Sequence, residues 1–336
     1  MRLFITGAAG FIGSNYLRHL LATSDHTAVA FDALTYAGNL DSIEDLLGDR
    51  AAFVHGDITD RAAVSSAMVG CDQVVHFAAE SHVDRSIAGP DAFVHTNCFG
   101  TNVLCDVARR IGVERFVHVS TDEVYGSVVH GSSVETDTVS PRSPYSASKA
   151  ASDLIALSYF STHELPVIVT RASNNYGPYQ FPEKVIPLFA TNLLDGACVP
   201  LYGDGLNVRD WLHVADHCTA IDTLLSRGSS GEIYNIGAGN EITNRELTER
   251  LIDLCGRDES AITYVPDRPG HDRRYSLDCS KLRSLGWAPA QDFTAGLEKT
   301  VEWYSTNRHW WAPLRGRANM WDNTAQTARG RGPSGP

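Results

Sequence analysis

The chain has 336 residues, of which 43% are hydrophobic and 20% are charged, and its formal net charge is −12. These values are typical of a globular protein of one or two domains, and no apolar run approaches the ~18 residues that a membrane span requires. The acidic charge argues against nucleic acid or an anionic membrane surface as a partner, because both require a basic surface.

Short apolar runs alternate with helical patterns through the first half of the chain. The runs predict six strands, at residues 3–5, 28–31, 53–55, 73–77, 116–119 and 167–170. Because the runs are almost continuously apolar, they indicate an α/β fold with a Rossmann-type, doubly wound parallel sheet covered by helices on both faces. The first strand follows the initiating Met1 without a signal-peptide layout, which predicts a cytoplasmic protein.

Beyond about residue 176 the pattern is interrupted by proline and glycine, and it predicts a smaller α/β substrate-binding region. Helical patterns occur at about 183–195, 214–226 and 243–255, and a strand-like run at 231–236 could return to the main sheet. We expect one domain of residues 1–175 plus about 206–237, and a second of about 176–205 and 238–320. The tail, 324–336, lacks the apolar residues that would offset ordering entropy and is predicted to be disordered.

A glycine-rich loop follows the first predicted strand and opens a helix at 14–21. Its glycines, Gly7, Gly10 and Gly13, permit a tight turn and let backbone amides approach a pyrophosphate. Asp32 ends the second strand, where a carboxylate accepts hydrogen bonds from an adenosine ribose and repels a 2′-phosphate, so NAD is favoured over NADP. The alternative is an ordinary turn at the end of a strand.

Tyr145 and Lys149 are four residues apart at the start of a predicted helix, so they share one face. An ammonium group beside a phenol stabilises the phenolate, which lets the tyrosine take a proton from an alcohol. The alternative is a tyrosine and a lysine on a helix surface.

Two adjacent acids, Asp122 and Glu123, follow the fifth predicted strand in the stretch STDEVYG (120–126). Ser120 and Glu123 fit a helix capping box, but no helical apolar period follows them. Neighbouring residues of an extended strand face opposite ways, so both acids can serve one substrate only from a turn or a short distorted helix. Two acids in one site favour separated pKa values, with one carboxyl protonated and the other ionised.

No metal site is predicted. His213 and His217 have a spacing that suits a metal on a helix, but they lack the glutamate of H-E-x-x-H and a third ligand. The seven cysteines form no C-x-x-C motif, which favours free thiols over a zinc ribbon or a disulfide framework.

With these motifs the sequence resembles the extended short-chain dehydrogenase/reductase family, and specifically the nucleoside-diphosphate-sugar 4,6-dehydratases. The resemblance extends to about Phe293 and rests on GAAGFIG (7–13), LTYAGNL (34–40), AAESHVDRSI (78–87), STDEVYG (120–126), SPYSASKAASD (143–153), TRASNNYGPYQFPEKVIP (170–187), YGDGLNVRDWLHVADH (202–217) and RPGHDRRYSLD (268–278). UDP-galactose 4-epimerases are similar in the glycine loop and the Tyr-Lys motif but lack the adjacent acids.

The resemblance implies a lyase that converts dTDP-glucose to its 4-keto-6-deoxy form and regenerates NAD. Tyr145, with Lys149 and Thr121, would deprotonate the 4-hydroxyl, Glu123 would remove the C5 hydrogen, and Asp122 would protonate the departing 6-hydroxyl. UDP-glucose or another nucleotide hexose as substrate, and 4-epimerase activity, remain alternatives. A homodimer formed through helices near 92–110 and 146–163 is also implied.

The resemblance also supplies two sets of binding residues. The expected cofactor contacts are Gly7, Gly10, Phe11, Ile12, Gly13, Asp32, Asp57, Ile58, Ala78, Ala79, Thr96, Tyr145, Lys149 and Asn175. The expected substrate contacts are Ser81, Thr121, Asn174, Lys184, Pro200, Tyr202, Arg209, Asn244 and His271. Arg209 is the expected diphosphate contact, because a guanidinium offers a fork of donors to phosphate oxygens. A surface pair of Arg209 with Asp210, and a loop position for His271, are the alternatives.

Overall fold

A computed structural model describes residues 1–316 of the chain. The strands of this part are β1 (Arg2–Thr6), β2 (Thr27–Asp32), β3 (Ala51–His55), β4 (Gln73–His76), β5 (Arg115–Thr121), β6 (Val167–Ala172), β7 (Asn174–Tyr176), β8 (Val199–Tyr202), β9 (Val208–His213), β10 (Ile233–Ile236), β11 (Glu241–Thr243) and β12 (Ile262–Val265). Its α-helices are α1 (Phe11–Thr23), α2 (Arg61–Met68), α3 (Val83–Ala88), α4 (Pro90–Phe93), α5 (Thr101–Ile111), α6 (Pro144–His163), α7 (Val185–Leu194), α8 (Val214–Arg227), α9 (Asn244–Leu254), α10 (Ser280–Ser284) and α11 (Phe293–Thr306). The predicted disordered tail, 324–336, lies outside the described residues.

The main sheet has seven strands in the order β10-β6-β5-β4-β1-β2-β3, and every neighbouring pair is parallel. The predicted Rossmann-type, doubly wound fold is thereby confirmed. The order reverses between β1 and β4, and ligands of such sheets bind outside the carboxyl ends of the strands at that point. The glycine loop follows β1 at this edge of the sheet, and the acid pair follows β5.

Both faces of the main sheet are covered, which explains why its strands are almost continuously apolar. One face packs against α1 and α8, around residues such as Leu17 and Leu224. The other packs against α2, α5 and α6, around residues such as Leu104 and Ala156. The helices thus hold the strands rigid while their carboxyl ends stay open to a ligand.

A second core lies beside that open edge. It is built by α7, α9 and α11, with residues such as Phe189, Leu251 and Leu297 at its centre. The tryptophan-rich segment at 303–314, to which the sequence assigned no role, packs here through the buried Trp310 and Trp311. Two small sheets, β11-β9-β7 and β12-β8, complete this region.

The segment from about 206 to 237 divides between the two regions. The strand β9 pairs with β7 and β11 in a small sheet, whereas α8 packs against α1 and β10 joins the edge of the main sheet beside β6. Chain connections therefore cross repeatedly between the two regions. Among residues 1–316, no helix has the length and apolar character needed to cross a membrane.

Candidate active site

One cavity of about 540 Å³ lies between the carboxyl edge of the main sheet and the second region. The catalytic, cofactor-binding and substrate-binding residues expected from the sequence line this cavity, with the single exception of Asp122. The tertiary structure thus brings together residues that are up to 264 positions apart, from Gly7 to His271.

The glycine loop packs too closely on its neighbours to admit side chains. Gly7 has a φ of +66°, and a Cβ atom added to it would lie 2.7 Å from the backbone nitrogen of Ala78. A Cβ atom on Gly13 would lie 2.1 Å from the carbonyl oxygen of Gly7. The helix α1 begins after Gly10 with no side-chain cap and no acidic residue in its first turn. Its first backbone N–H groups are consequently able to receive a pyrophosphate.

The carboxylate of Asp32 holds the glycine loop in place. Its Oδ2 accepts a hydrogen bond from the backbone N–H of Ala9 at 2.9 Å, and its Oδ1 accepts one from the N–H of Leu34 at 2.8 Å. Each carboxylate oxygen retains acceptor capacity for a ribose hydroxyl. Burial raises the pKa of Asp32, while these backbone hydrogen bonds act in the opposite direction.

The acid pair lies on a single turn of 3₁₀-helix, Asp122–Tyr125, as the argument from strand geometry required. The cap of this turn is Thr121, whose Oγ1 accepts a hydrogen bond from the N–H of Glu123 at 3.3 Å; the capping box of Ser120 and Glu123 is absent from this segment. The tight turn allows both carboxyl groups to belong to one site.

Both carboxyl groups of the pair have raised pKa values. Burial is the main cause for Asp122, and the neighbouring charge of Glu123 adds to it, so the pKa of Asp122 is well above its ordinary value. Burial also raises the pKa of Glu123, but nearby Arg268, Lys184 and Arg209 oppose that shift. The electrostatic environment therefore favours a protonated Asp122 beside a more readily ionised Glu123.

Asp122 lies beneath the cavity wall, only 3% exposed. Its Oδ1 accepts a hydrogen bond from Thr121 Oγ1 at 3.3 Å. Its buried Oδ2 has no hydrogen-bond partner among the described residues. A buried, unpartnered carboxyl oxygen is costly, unless it is protonated or meets a ligand.

Tyr145 and Lys149 lie on the first two turns of α6, which begins with a capping box formed by Ser143 and Ser146. Burial raises the pKa of Tyr145, as does the charge of Glu123, whereas a hydrogen bond with Thr121 lowers it. Burial lowers the pKa of Lys149 to about 8. Its Nζ donates a hydrogen bond to the carbonyl oxygen of Val119 at 2.8 Å. The phenol is therefore neutral in this state and needs an additional positive charge nearby to ionise.

Basic and amide groups line the cavity on the side of the second region. Arg209 is 5% exposed, and its guanidinium donates to the carbonyl oxygens of Val208 and Asp272 and stacks on the ring of Tyr275. Asp210 is also buried, but it accepts hydrogen bonds from the backbone N–H groups of Ala238 and Asn240. The two residues therefore do not form a surface pair.

Asn174 and His271 complete this side of the cavity. The side-chain oxygen Oδ1 of Asn174 is buried and has no hydrogen-bond partner among residues 1–316, which leaves it available to a ligand. The ring of His271 lies against that of Tyr202, with its Nδ1 2.6 Å from a carboxylate oxygen of Asp267. His271 thus has a fixed orientation within the wall.

The two histidines with metal-like spacing have separate roles. His213 caps α8, since its Nδ1 accepts a hydrogen bond from the N–H of Ala215 at 3.2 Å. His217 is fully buried, and its Nδ1 lies 2.9 Å from Oδ1 of Asn175. Within the described range there is no cluster of three groups able to hold a metal ion.

Sequence reasoning missed Asn97, which lies in a π-helical segment, Val94–Gly100, between α4 and α5. Its side chain accepts a hydrogen bond from the N–H of Glu80 at 2.9 Å and donates to the carbonyl oxygen of the same residue at 3.0 Å. It also donates to Ser148 Oγ at 2.8 Å. Asn97 thereby fixes the loop after β4 against the helix that carries Tyr145. A π-helical segment has no clear sequence signal, although such segments are frequent at functional sites.

Four comparisons place the chain among known proteins. A family model described as GDP-mannose 4,6 dehydratase matches residues 4–300. A dTDP-glucose 4,6-dehydratase of Streptomyces antibioticus is 56% identical over 340 residues, covering 99% of this chain and 100% of that protein. The structure of a dTDP-glucose 4,6-dehydratase from Streptomyces venezuelae, with NAD and TYD (thymidine diphosphate) bound, has a TM-score of 0.92 and 55% identity over 94% of this chain and 100% of that one. The structure of a UDP-glucose 4-epimerase from Thermus thermophilus, in complex with NAD, has a TM-score of 0.85 and 32% identity, and the match covers 90% of this chain and 99% of that one.

Proposed function

Since this chain belongs to the nucleoside-diphosphate-sugar 4,6-dehydratase family, we propose that it is an NAD-dependent lyase that converts dTDP-glucose to dTDP-4-keto-6-deoxyglucose. One observation carries the proposal: Glu123 lines the same cavity as Tyr145 and Lys149, and the buried Asp122 lies beside it on the same turn, beneath the cavity wall. A simple oxidation of an alcohol needs the tyrosine and the lysine, whereas elimination of water also needs a base and an acid.

The residues of the cavity fit NAD. The first turn of α1 offers uncapped N–H groups to a pyrophosphate, and Asp32 keeps acceptor capacity for a ribose. The expected contacts with the remainder of the dinucleotide, from Asp57 and Ile58 to Thr96 and Asn175, line the same cavity. When bound, NAD would accept the hydride from C4 of the sugar and later return it to C6.

The side chains of the chain would supply the proton transfers. Tyr145 would take the proton of the 4-hydroxyl, with Thr121 hydrogen-bonded to its phenol and Lys149 stabilising the resulting phenolate. A ketone at C4 makes the C5 hydrogen acidic, so the ionised Glu123 would remove it. Asp122, held protonated by burial and by the charge of Glu123, would donate its proton to the departing 6-hydroxyl.

Basic residues of the second region would bind the nucleotide diphosphate. Arg209 already directs two donors at backbone carbonyls, and the remaining guanidinium donors offer hydrogen bonds to phosphate oxygens. Arg268, which the sequence interpretation did not single out, lines the cavity as a further cation in addition to Arg209 and Lys184. These charges would give an acidic protein a locally basic site for an anionic substrate.

We also propose a homodimer formed through the helices at 90–111 and α6. Both present apolar side chains at the surface: Val94 is 56% exposed and Phe99 45% on the first, and Leu154 is 60% exposed on the second. The two helical elements pack side by side through α5 and α6. A second copy of the chain would cover this apolar surface.

The reaction itself tests the proposed function. Purified protein with bound NAD should convert dTDP-glucose to the 4-keto product without added reductant, and in D₂O the product should carry deuterium at C5. UDP-glucose should react more slowly under the same conditions. Formation of a 4-epimer with no deuterium at C5 would reject the dehydratase in favour of an epimerase, a class of enzyme whose fold is also similar to that of the chain.

A further inference from the structure

Three loops that line the cavity are joined by side chains that lie at or behind its wall. We call Tyr36, Arg85 and Glu183 the clasp. The Nε and Nη2 of Arg85 donate hydrogen bonds to one carboxylate oxygen of Glu183 at 3.1 and 3.0 Å. The guanidinium carbon of Arg85 lies 3.8 Å from the centre of the Tyr36 ring. The arginine therefore connects one loop with two others.

The loops joined by the clasp surround the expected path of the cofactor. The first, with Ala37 and Gly38, follows Asp32, the expected ribose contact, and the second, at 78–84, follows β4 and enters α3, the helix that carries Arg85. The third, at 180–186, belongs to the second region and contributes Glu183 itself to the cavity wall. Tyr36 and Arg85 do not line the cavity, so their effect on a ligand acts through these loops.

Further contacts bind the same loops to the glycine loop and to one another. The N–H of Asn39 donates to the carbonyl oxygen of Ala9 at 3.0 Å. The side chain of Asn15, on α1, donates to the carbonyl oxygen of Pro178, just before the third loop, at 3.0 Å. Lys184 Nζ donates to the carbonyl oxygen of Ser81 at 2.8 Å. Consequently, widening the cavity at this side requires several polar contacts to break together with the clasp.

The ion pair of the clasp is largely buried, with side-chain exposures of 13% for Arg85 and 8% for Glu183. Burying two charges costs desolvation energy that their attraction only partly offsets, so such a pair adds little net stability. A pair of donors on one carboxylate, stacked on an aromatic ring, does fix the relative position of the groups that carry it. The clasp is therefore better explained by the geometry it imposes than by stability.

We propose that Tyr36, Arg85 and Glu183 are positioning residues that hold the three loops closed over NAD and slow its exchange with solvent. This inference rests on the proposed function, in which the hydride taken from C4 returns to C6 of the same sugar. The cofactor then ends each turnover in its starting form, so release serves no step. Escape of the cofactor between the two transfers would leave the sugar oxidised and the protein without its hydride.

Exchange of bound NAD for labelled NAD in the purified protein tests the clasp directly. The rate of exchange and the amount of NAD retained after gel filtration are measured for the wild type, Glu183→Gln and Arg85→Lys. Glutamine keeps the shape of the side chain but loses the charge, and lysine keeps the charge but loses the planar fork. We expect at least tenfold faster exchange and less retained NAD in both variants, with turnover restored by added NAD.

A matched control is Glu241→Gln, because Arg274 donates two hydrogen bonds to Glu241 and neither residue lines the cavity. This variant should exchange NAD at the wild-type rate. The proposed role of the clasp would be rejected if Glu183→Gln and Arg85→Lys both exchanged NAD at the wild-type rate. It would also be rejected if Glu241→Gln accelerated exchange as much as they do. Failure of the wild type to form the keto sugar would instead reject the proposed function, so the two failures are distinguishable.

Discussion

Lys149 donates a hydrogen bond from Nζ to the carbonyl oxygen of Val119 at 2.8 Å, which joins α6 to the strand that ends at the acid pair. The strand β5 thereby fixes the position of the ammonium group, and Thr121, two residues further along, hydrogen-bonds the phenol of Tyr145. One strand end thus positions both partners of the tyrosine and leads directly to the two acids.

Lys149→Met should slow oxidation at C4. The pKa of Lys149 is lowered to about 8, so at pH 7 most molecules carry the ammonium charge that favours the phenolate of Tyr145. Without that charge, we expect single-turnover oxidation to fall by about 10²–10⁴-fold and its pH optimum to move upward. Stopped-flow absorbance of the reduced cofactor measures this step. An unchanged rate and pH profile would remove Lys149 from catalysis.

Glu123→Gln should block removal of the C5 hydrogen and leave NAD bound. Glutamine is isosteric but cannot accept a proton, so we expect solvent exchange at C5 to fall by about 10²–10⁴-fold. Exchange is followed by NMR in D₂O, and oxidation at C4 is followed in the same sample. Glu114→Gln, an exposed substitution just before β5, is the control. Wild-type exchange in Glu123→Gln would mean that another group is the base.

Asp122→Asn should slow loss of the 6-hydroxyl. Because burial and Glu123 raise the pKa of Asp122, its acid form persists from low pH up to that raised pKa, and elimination should decline as pH rises through it. In the variant, the rate of elimination should fall by about 10²–10³-fold, and it should no longer decline at alkaline pH. A 6-fluoro analogue of the substrate, whose leaving group needs less proton donation, should be affected much less. Equal losses with both substrates would contradict the role as acid.

Acid should destabilise the fold through buried histidines. Burial lowers the pKa of His217 from 6.5 to about 4, and it lowers that of His118 to about 4 as well. The unfolded chain therefore binds more protons than the folded chain between these values, so stability falls as pH drops from 6.5 towards 4. Between pH 6.5 and 5 each histidine should cost about 2 kcal/mol. Urea unfolding of His217→Gln should show a smaller loss over this interval, and an unchanged loss would exclude His217 as a contributor.

Leu154→Glu should disrupt the proposed homodimer. Leu154 is 60% exposed in the isolated chain, so a charge there costs little in a monomer but is unfavourable in a buried apolar interface. Sedimentation velocity should show a dimer for the wild type and a monomer for the variant. Val129→Glu, at an apolar residue that is 75% exposed and belongs to neither helical element, should remain dimeric. A wild-type monomer, or a dimeric Leu154→Glu, would exclude this interface.

The sequence by itself determined the parallel sheet and predicted which residues meet at its carboxyl edge. Continuous apolar strands can be buried only on both faces, so they predict a parallel, helix-covered sheet, and the order of strands and motifs places Gly7, Asp32, Thr121 and Tyr145 at its carboxyl edge. The need for both acids to face one substrate likewise predicts the short turn at Asp122–Tyr125. Each of these inferences depends on residues near one another in the chain.

Tertiary structure alone decided how distant segments meet. The hydrogen bond between Asn97 and Glu80 joins residues that are 17 positions apart, and the contact of Arg85 with Glu183 joins residues that are 98 positions apart. The position of Asp122 beneath the cavity wall depends on how the surrounding segments bury it. No sequence period encodes such contacts. Burial also raises the pKa values of both Asp122 and Glu123. Desolvation depends on packing that only the folded chain defines.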